Sequence, residues 1–359
     1  MSLPDGFVAV DPTELRDLSK NAGATLDEIS PFARRGEIRR TDEGLMIDRH
    51  YGLTYHTMEL RPAAIYGPAD ELPPYSGDEL SNAGFLRVPF RRIPRRIVRS
   101  RAEIEALLSS IRSADSDLKM LFRGQTREHL ITRSPQTAQL LYGSDSVMEP
   151  SLTTSASRRS PALEDVLPEW GALLRFFADV LEMGRPWWLR SSLFPLSALA
   201  LAQHYGLPTS GLDVTDRLDV ALFFALMDYR KSPDSYRATY TPTNFSAGMP
   251  VIYLLFPTQQ QRFDYESYRG ENFPHGRPDA QSAHFMHIGW GLANNRCAER
   301  IFLALYLDPQ GDYGSFPSAA TLFPAGEADW FATFIEQNAA GLPGALGRVV
   351  KEGFYTIES

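Results

Sequence analysis

Leu201-Ala202-Gln203-His204-Tyr205-Gly206-Leu207-Pro208-Thr209, followed at once by Leu212-Asp213-Val214-Thr215, decides how this chain is organised. Upstream, Pro195 opens a helix in which Leu196, Leu199, Ala200 and Gln203 share a face. Gly206 supplies a left-handed turn and Pro208 blocks continuation, so the helix stops inside the block. Thr215 can cap a second helix carrying Leu218, Leu222, Phe223 and Leu226. Helices are therefore grouped together rather than alternating strictly with strands, which is an α+β ordering.

The flanks agree with that ordering. Leu118 to Phe122 reads as a buried strand ending in Arg123-Gly124-Gln125, and Pro150 to Ser155 as a second strand. Ser160-Pro161 opens a helix running through Val166, Leu173, Leu174, Phe177 and Leu181. Beyond the central block, Val251 to Phe256, Ala283 to Ile288 and Ile301 to Leu307 read as strands. The expected fold is α+β: a mixed or antiparallel β core with a helical segment inserted between early and late strands. Nearer the N-terminus, Ser100 and Glu103 form a capping box for a helix bearing Ile104, Leu107, Leu108 and Ile111. Asp11-Pro12-Thr13-Glu14 starts a short helix, and Met46-Ile47 and Leu53 to Tyr55 read as short strands. Pro62 to Gly84 is rich in Pro, Gly, Asp and Ser and reads as an irregular connection. Residues 1–84 are thus expected to be an accessory region and residues 85–359 the main domain.

A chain of 359 residues with 43% hydrophobic and 22% charged residues has enough apolar material for a buried core. Its formal charge of -8 argues against a general nucleic-acid binder, because phosphate affinity needs a clustered positive surface. The arginines between Arg87 and Arg101 are the exception. They interleave with Val88, Phe90, Ile93, Ile97 and Val98, beside Pro89 and Pro94, as an edge strand with a solvated arginine face would. One cysteine, Cys297, leaves no internal disulfide to form. The N-terminus shows no secretory pattern, and no apolar run approaches the roughly 20 residues that span a bilayer. A cytoplasmic protein without a membrane partner is expected.

Four residues stand out chemically. Arg123, at a strand end before glycine, can grip a phosphate or carboxylate with its guanidinium fork, or pair structurally with Asp213. His204 lies in the last turn of its helix, where the dipole favours a protonated imidazole. It can cap the helix or do acid–base work. Asp213 is placed to orient His204 or Arg123 ahead of a helix N-terminus. Gln281 alternates with Ala283 and Phe285 on one strand face, and a half-buried amide there needs a partner. Alternation also puts Ser151, Thr153 and Ser155 on one face, either lining a ribose or amide site or simply facing water. If Arg123, His204, Asp213 and Gln281 serve one ligand, they converge on one concave site, with Ser151 or Ser155 beside them. His284 and His287 face opposite sides of a strand, so no metal site is expected. No phosphate-binding glycine loop and no nucleophile elbow occur.

Three blocks carry a family resemblance over about Arg87 to Leu307. They are Leu121-Phe122-Arg123-Gly124-Gln125, the block from Leu201 through Thr215 with Ala221-Leu222-Phe223-Phe224-Ala225, and Arg277-Pro278-Asp279-Ala280-Gln281-Ser282-Ala283-His284-Phe285. In order and spacing they resemble the FRG family, named for its Phe/Tyr-Arg-Gly motif. The family often has Arg-Leu-Leu-Asp-Trp-Thr where this chain has Ser210-Gly211-Leu212-Asp213-Val214-Thr215. The order of arginine, hydroxyl strand and late glutamine is also similar to ADP-ribosyltransferases of the Arg-Ser-Glu type. That similarity implies an enzyme or toxin with NAD as substrate and no metal, acting on a protein target. Arg123 would hold the dinucleotide, with Gln125, Ser151, Thr153, Ser155 and Tyr205 around it. Gln281 stands where those enzymes place glutamate and lacks its charge, and Glu299 is a nearby substitute. The competing readings are a non-catalytic module that senses a nucleotide-like ligand or binds a protein, and a nucleic-acid-processing protein using the arginine strip.

Overall fold

The computed structural model describes residues 95–114, 120–132, 149–155, 194–209, 211–255, 276–287 and 301–357, except 234 and 343, with short pieces at 8–9, 38–40, 46–48, 53–55, 62–65, 134–135, 262–264 and 297–298. The helices expected at Asp11 and at Ser160 lie outside the described residues. The chain divides into two compact units. One comprises Met1–Ile93, His129–Thr153 and Ile288–Ile301. It holds a meander of five short strands, β1 (Val8–Ala9), β2 (Ile38–Arg40), β3 (Met46–Asp48), β4 (Leu53–Tyr55) and β5 (Pro62–Ile65), each antiparallel to the next. The strands at Met46 and Leu53 are those read from sequence. Pro62 opens a strand rather than an irregular connection, made by the apolar run Pro62-Ala63-Ala64-Ile65.

The second unit comprises Pro94–Glu128, Thr154–His287 and Phe302–Ser359. Its main sheet has seven strands: β6 (Arg95–Ser100), β7 (Leu121–Gln125), β10 (Gly211–Thr215), β13 (Val251–Leu255), β14 (Arg262–Asp264), β15 (Ala283–His287) and β16 (Ile301–Asp312). They lie in the order β14-β15-β10-β7-β13-β16-β6. The pairings from β14 through β13 are antiparallel, while β6 runs parallel to β16 at the edge. Between β7 and β10 fall β8 (Leu130–Ile131) and β9 (Glu149–Pro150), a two-stranded pair belonging to the first unit. A smaller sheet orders β11 (Met227–Lys231), β12 (Arg237–Pro242) and β17 (Thr356–Ile357). The fold is α+β, with mixed and antiparallel sheets, as the residue pattern indicates.

The edge strand β6 holds Arg95, Arg96 and Arg99 of the arginine strip, and two of them meet carboxylates: Arg95 with Glu128, Arg99 with Asp308. The capping box forms at the start of helix α1 (Arg101–Ala114). Ser100 Oγ accepts the Glu103 N–H, and Glu103 Oε2 accepts the Arg99 N–H. Helix α2 (Phe194–His204) ends as its sequence directs, with Gly206 at φ 77°. Helix α3 (Leu218–Leu226) follows β10. Val98, Ile104, Leu108, Phe122, Leu222, Ile252, Leu254, Leu303, Leu305 and Leu307 form one buried cluster joining α1, α3 and the sheet. The alternate numbering of Leu303, Leu305 and Leu307 is the period-2 pattern of a strand with one face inward.

Three segments differ from the sequence reading. Asp213 and Thr215 belong to β10 and do not open a helix, because Gly-Leu-Asp-Val-Thr is itself a strand, antiparallel to β15 over five residue pairs. Thr215 Oγ1 still accepts the Arg217 N–H and donates to the Gln281 carbonyl. Gln281 is not on the late strand. It ends the single-turn helix α4 (Arg277–Ala280), and Ser282 at φ 44° breaks the alternation before β15 begins. The strand read as ending in Arg123-Gly124-Gln125 is β7, which closes at Gln125. The hydroxyl strand is reduced to Glu149–Pro150, with residues 151–154 in no regular element. Among the described residues no helix is long and apolar enough to cross a membrane.

The C-terminal quarter, whose elements the sequence pattern left unread, supplies helices α5 (Ala319–Leu322), α6 (Trp330–Asn338) and α7 (Gly344–Gly353). They are tied in by Arg277, a side chain only 1% exposed. Its Nε donates to Asp329 Oδ2 at 3.2 Å, its Nη1 to the His204 carbonyl at 3.4 Å, and its Nη2 to the Tyr355 carbonyl. Asp329 also caps α6 through the Ala332 N–H and accepts the Tyr205 hydroxyl at 2.6 Å. The Tyr205 and Tyr355 rings stand 4.8 and 5.0 Å from the guanidinium carbon, so cation–π attraction adds to the ion pair. A buried charge is tolerable only when its hydrogen-bonding demand is met in this way.

Three substitutions test this packing. A Cβ on Gly124 would lie 2.0 Å from the Ala221 carbonyl oxygen, so the glycine of β7 is what lets α3 approach. Gly124→Ala is expected to destabilise by about 3 kcal/mol in urea melts, the upper range for overpacking; a change below about 0.5 kcal/mol would show that the helix does not sit so close. Arg277→Met and Asp329→Leu should each cost about 3–5 kcal/mol, and the double replacement much less than their sum. Additive losses would show that the two charges are not coupled.

Candidate functional site

Once the Arg277 anchor fixes the end of α2, the chain at Leu201 to Thr215 turns back on itself. The turn places His204 against β10. The His204 imidazole Nε2 stands 3.2 Å from Asp213 Oδ1, a distance that suits a hydrogen bond although the angles do not complete one. The His204 side chain is 1% exposed, while Asp213 keeps 25% of its side chain open. Arg123 reaches β10 from the adjacent strand, its Nη1 donating to the Asp213 carbonyl. The Gln281 side chain hydrogen-bonds the His204 ring and donates through Nε2 to the Leu322 carbonyl at 3.1 Å.

These side chains line one cavity of about 630 Å³. Arg123, His204, Asp213 and Gln281 all border it, with Ser155 beside them. Ser155 Oγ donates to Gln203 Oε1 at 3.0 Å and accepts the Thr209 N–H, which fastens the α2 turn to the cavity wall. Thr209 Oγ1 donates to the same Gln203 oxygen. The volume falls in the range of small-molecule ligand pockets.

The remaining sequence candidates lie elsewhere. Tyr205 is fully buried with its hydroxyl on Asp329, so it belongs to the framework behind the site. Gln125 is in β7 at the Val251 pairing and is not among the cavity-lining residues. Ser151 and Thr153 belong to the other compact unit, where their hydroxyls lie 3.4 Å apart. Glu299 lies outside the described residues. Among the described residues no group of three or more His, Cys, Asp or Glu side chains is gathered for a metal, and His284 instead lies 3.3 Å from Asp216.

Several cavity residues have no counterpart among the sequence candidates. Phe224 comes from α3, Tyr229 and Lys231 from β11, Tyr240 from β12, and Glu352 and Tyr355 from the end of α7 and the residues after it. Lys231 Nζ donates to the carbonyls of Lys351 and Glu352, the natural cation site at a helix C-terminus. Gly206 and Gly353 touch back to back, since a Cβ on Gly206 would meet the Gly353 carbonyl oxygen at 2.2 Å. The tail is thereby drawn against the α2 turn. Such tertiary closure leaves no local pattern to read.

The charge state of the pair overturns one expectation. Burial, aided by the Arg277 guanidinium, pushes the His204 pKa down to about 3, outweighing the Gln281 hydrogen bond that raises it. Burial pushes Asp213 the other way, to about 8, with Arg123 opposing. At neutral pH the pair is therefore mostly uncharged, with a proton on the carboxyl and a neutral imidazole facing it. Lys231 is lowered by burial, partly offset by Glu352. The cavity thus combines a fixed guanidinium, a carboxyl that ionises near working pH, and a partly aromatic wall.

No curated protein and no solved structure matches the chain. Residues 119–234 match the family model described as FRG domain, a span from the start of β7 through β11 that includes Arg123, His204 and Asp213. That match supports the FRG family for this chain.

Proposed function

We propose that the cavity binds a nucleotide of the NAD type and that the protein transfers its ADP-ribosyl group to an acceptor. The supporting observation is that Arg123, His204, Asp213 and Gln281, drawn from distant parts of the chain, border one cavity that also carries aromatic rings. Arg123 is the group for the diphosphate, because its planar fork matches phosphate oxygens. Asp213, and not Gln281, is the carboxylate of the reaction. Gln281 is neutral and its amide is committed to His204 and Leu322. Ionised Asp213 supplies the negative charge that a developing oxocarbenium needs. In the step, the glycosidic bond of nicotinamide breaks and its electron pair leaves with the neutral nicotinamide. The acceptor's oxygen or nitrogen forms the new bond to ribose, and its proton passes to Asp213, held in line by the neutral His204.

The sign of the pH dependence follows from which form works. The active carboxylate is the deprotonated one, and its pKa lies near 8. The rate of nicotinamide release from NAD should rise from pH 6.5 to 9 with an apparent pKa near 8. Asp213→Asn should lose the rise and most of the rate. A rate that is flat in this window, or unchanged in Asp213→Asn, contradicts the assignment. NAD that binds without any nicotinamide release would identify a sensor instead of a transferase.

Arg123 has its own test. Calorimetry with ADP-ribose should show at least a tenfold loss of affinity in Arg123→Lys, about 1.4 kcal/mol, with the melting temperature within about 2 °C of the parent protein. A variant that melts far lower yet binds normally when folded would make Arg123 a structural donor to the Asp213 carbonyl alone.

A further inference from the structure

The aromatic wall of the cavity has an order that the anion-binding residues do not explain. Tyr229 and Tyr240 are directly paired across the β11–β12 ladder, with ring centroids 5.6 Å apart. Tyr240 stacks in turn on Phe323 at 5.2 Å and an interplanar angle of 25°. Tyr355 packs on Tyr229 at 4.8 Å. The Tyr240 and Tyr355 hydroxyls hydrogen-bond to one another. The series runs outward from buried rings and ends at Tyr229, which is 43% exposed and borders the cavity.

A large aromatic side chain that open beside a cavity, its orientation held by Tyr240 and Tyr355, can serve as a stacking platform. Lys231 stands two residues further along β11, on the same face by strand alternation, so a cation borders the platform. Its Nζ is held by the Lys351 and Glu352 carbonyls, which keeps that side of the platform polar.

We propose that Tyr229 is the stacking seat for the planar heterocycle of the ligand, making the cleft selective for nucleotides over sugar phosphates that lack a base. The inference rests on the nucleotide reading above for its choice of probes, but not on NAD or on group transfer. Base–aromatic stacking tolerates many bases, because every base has a π face. The seat therefore sets the class of ligand, a planar ring joined to an anion, and leaves the choice among bases to edge contacts.

The test uses the full chain and calorimetry with AMP and ribose 5-phosphate, which differ by the base. The parent protein should bind AMP at least tenfold more tightly. Tyr229→Ala should remove that difference, weakening AMP about tenfold and leaving ribose 5-phosphate unchanged, and Tyr229→Phe should retain it. In Tyr229→Trp, AMP should quench the new indole fluorescence and ribose 5-phosphate should not, which reads stacking directly even if the alanine variant folds poorly. Equal affinity for the two probes in the parent, equal weakening of both by Tyr229→Ala, or no binding of either overturns the seat. Tyr229-dependent AMP binding in a protein that releases no nicotinamide from NAD would overturn the transferase reading alone.

Discussion

A guanidinium with 1% of its surface exposed has to be satisfied from within the protein, and Arg277 is satisfied by parts of the chain that are otherwise far apart in sequence. It joins the last carbonyl of α2, the capping aspartate of α6 and the carbonyl of Tyr355. Each of these contacts fixes a wall of the cavity. The α2 end carries Gln203 and His204, the α6 cap holds Tyr205 behind them, and the tail contributes Glu352 and Tyr355. Removing the charge would leave Asp329 buried and unpaired, so the framework is coupled rather than a sum of separate contacts. The same guanidinium helps keep His204 neutral.

Much of the sheet was legible because it is built from local signals. The capping box at Ser100, the stop at Gly206 and Pro208, and the apolar runs of β7, β13 and β16 each declare themselves within a few residues. Thr215 reads as a helix cap because threonine is a common cap, yet Leu212 and Val214 are both buried and the segment through Thr215 pairs as a strand. Here tertiary pairing overrides a capping preference. Gln281 misled for the opposite reason. The alternation of Ala283 and Phe285 is real, but a left-handed Ser282 separates it from Gln281.

The polar side of the cavity was visible as residue types at motif positions, whereas the aromatic side was not. Tyr229 and Tyr240 face each other through a hairpin with no Asn-Gly or Gly-Gly turn to announce it, and Tyr355 arrives from the far end of the chain. Nor was the protonation of the site legible. A histidine in a last helical turn invites a positive charge, and here complete burial beside Arg277 prevents it. Geometry decides the chemistry in this case, by exchanging the roles of the two titrating groups: the acid holds the proton and the base is empty.

We propose that a cleft framed by Arg277 seats a nucleotide between Arg123 and the aromatic wall, with the Asp213 carboxyl beside it. A crystal structure of the full chain with ADP-ribose bound tests this most directly. The phosphate oxygens should lie within hydrogen-bonding distance of the Arg123 guanidinium, the adenine against Tyr229, and Asp213 within reach of the anomeric carbon. Clear density for the nucleotide at another place on the protein, with this cleft filled only by water, would contradict it.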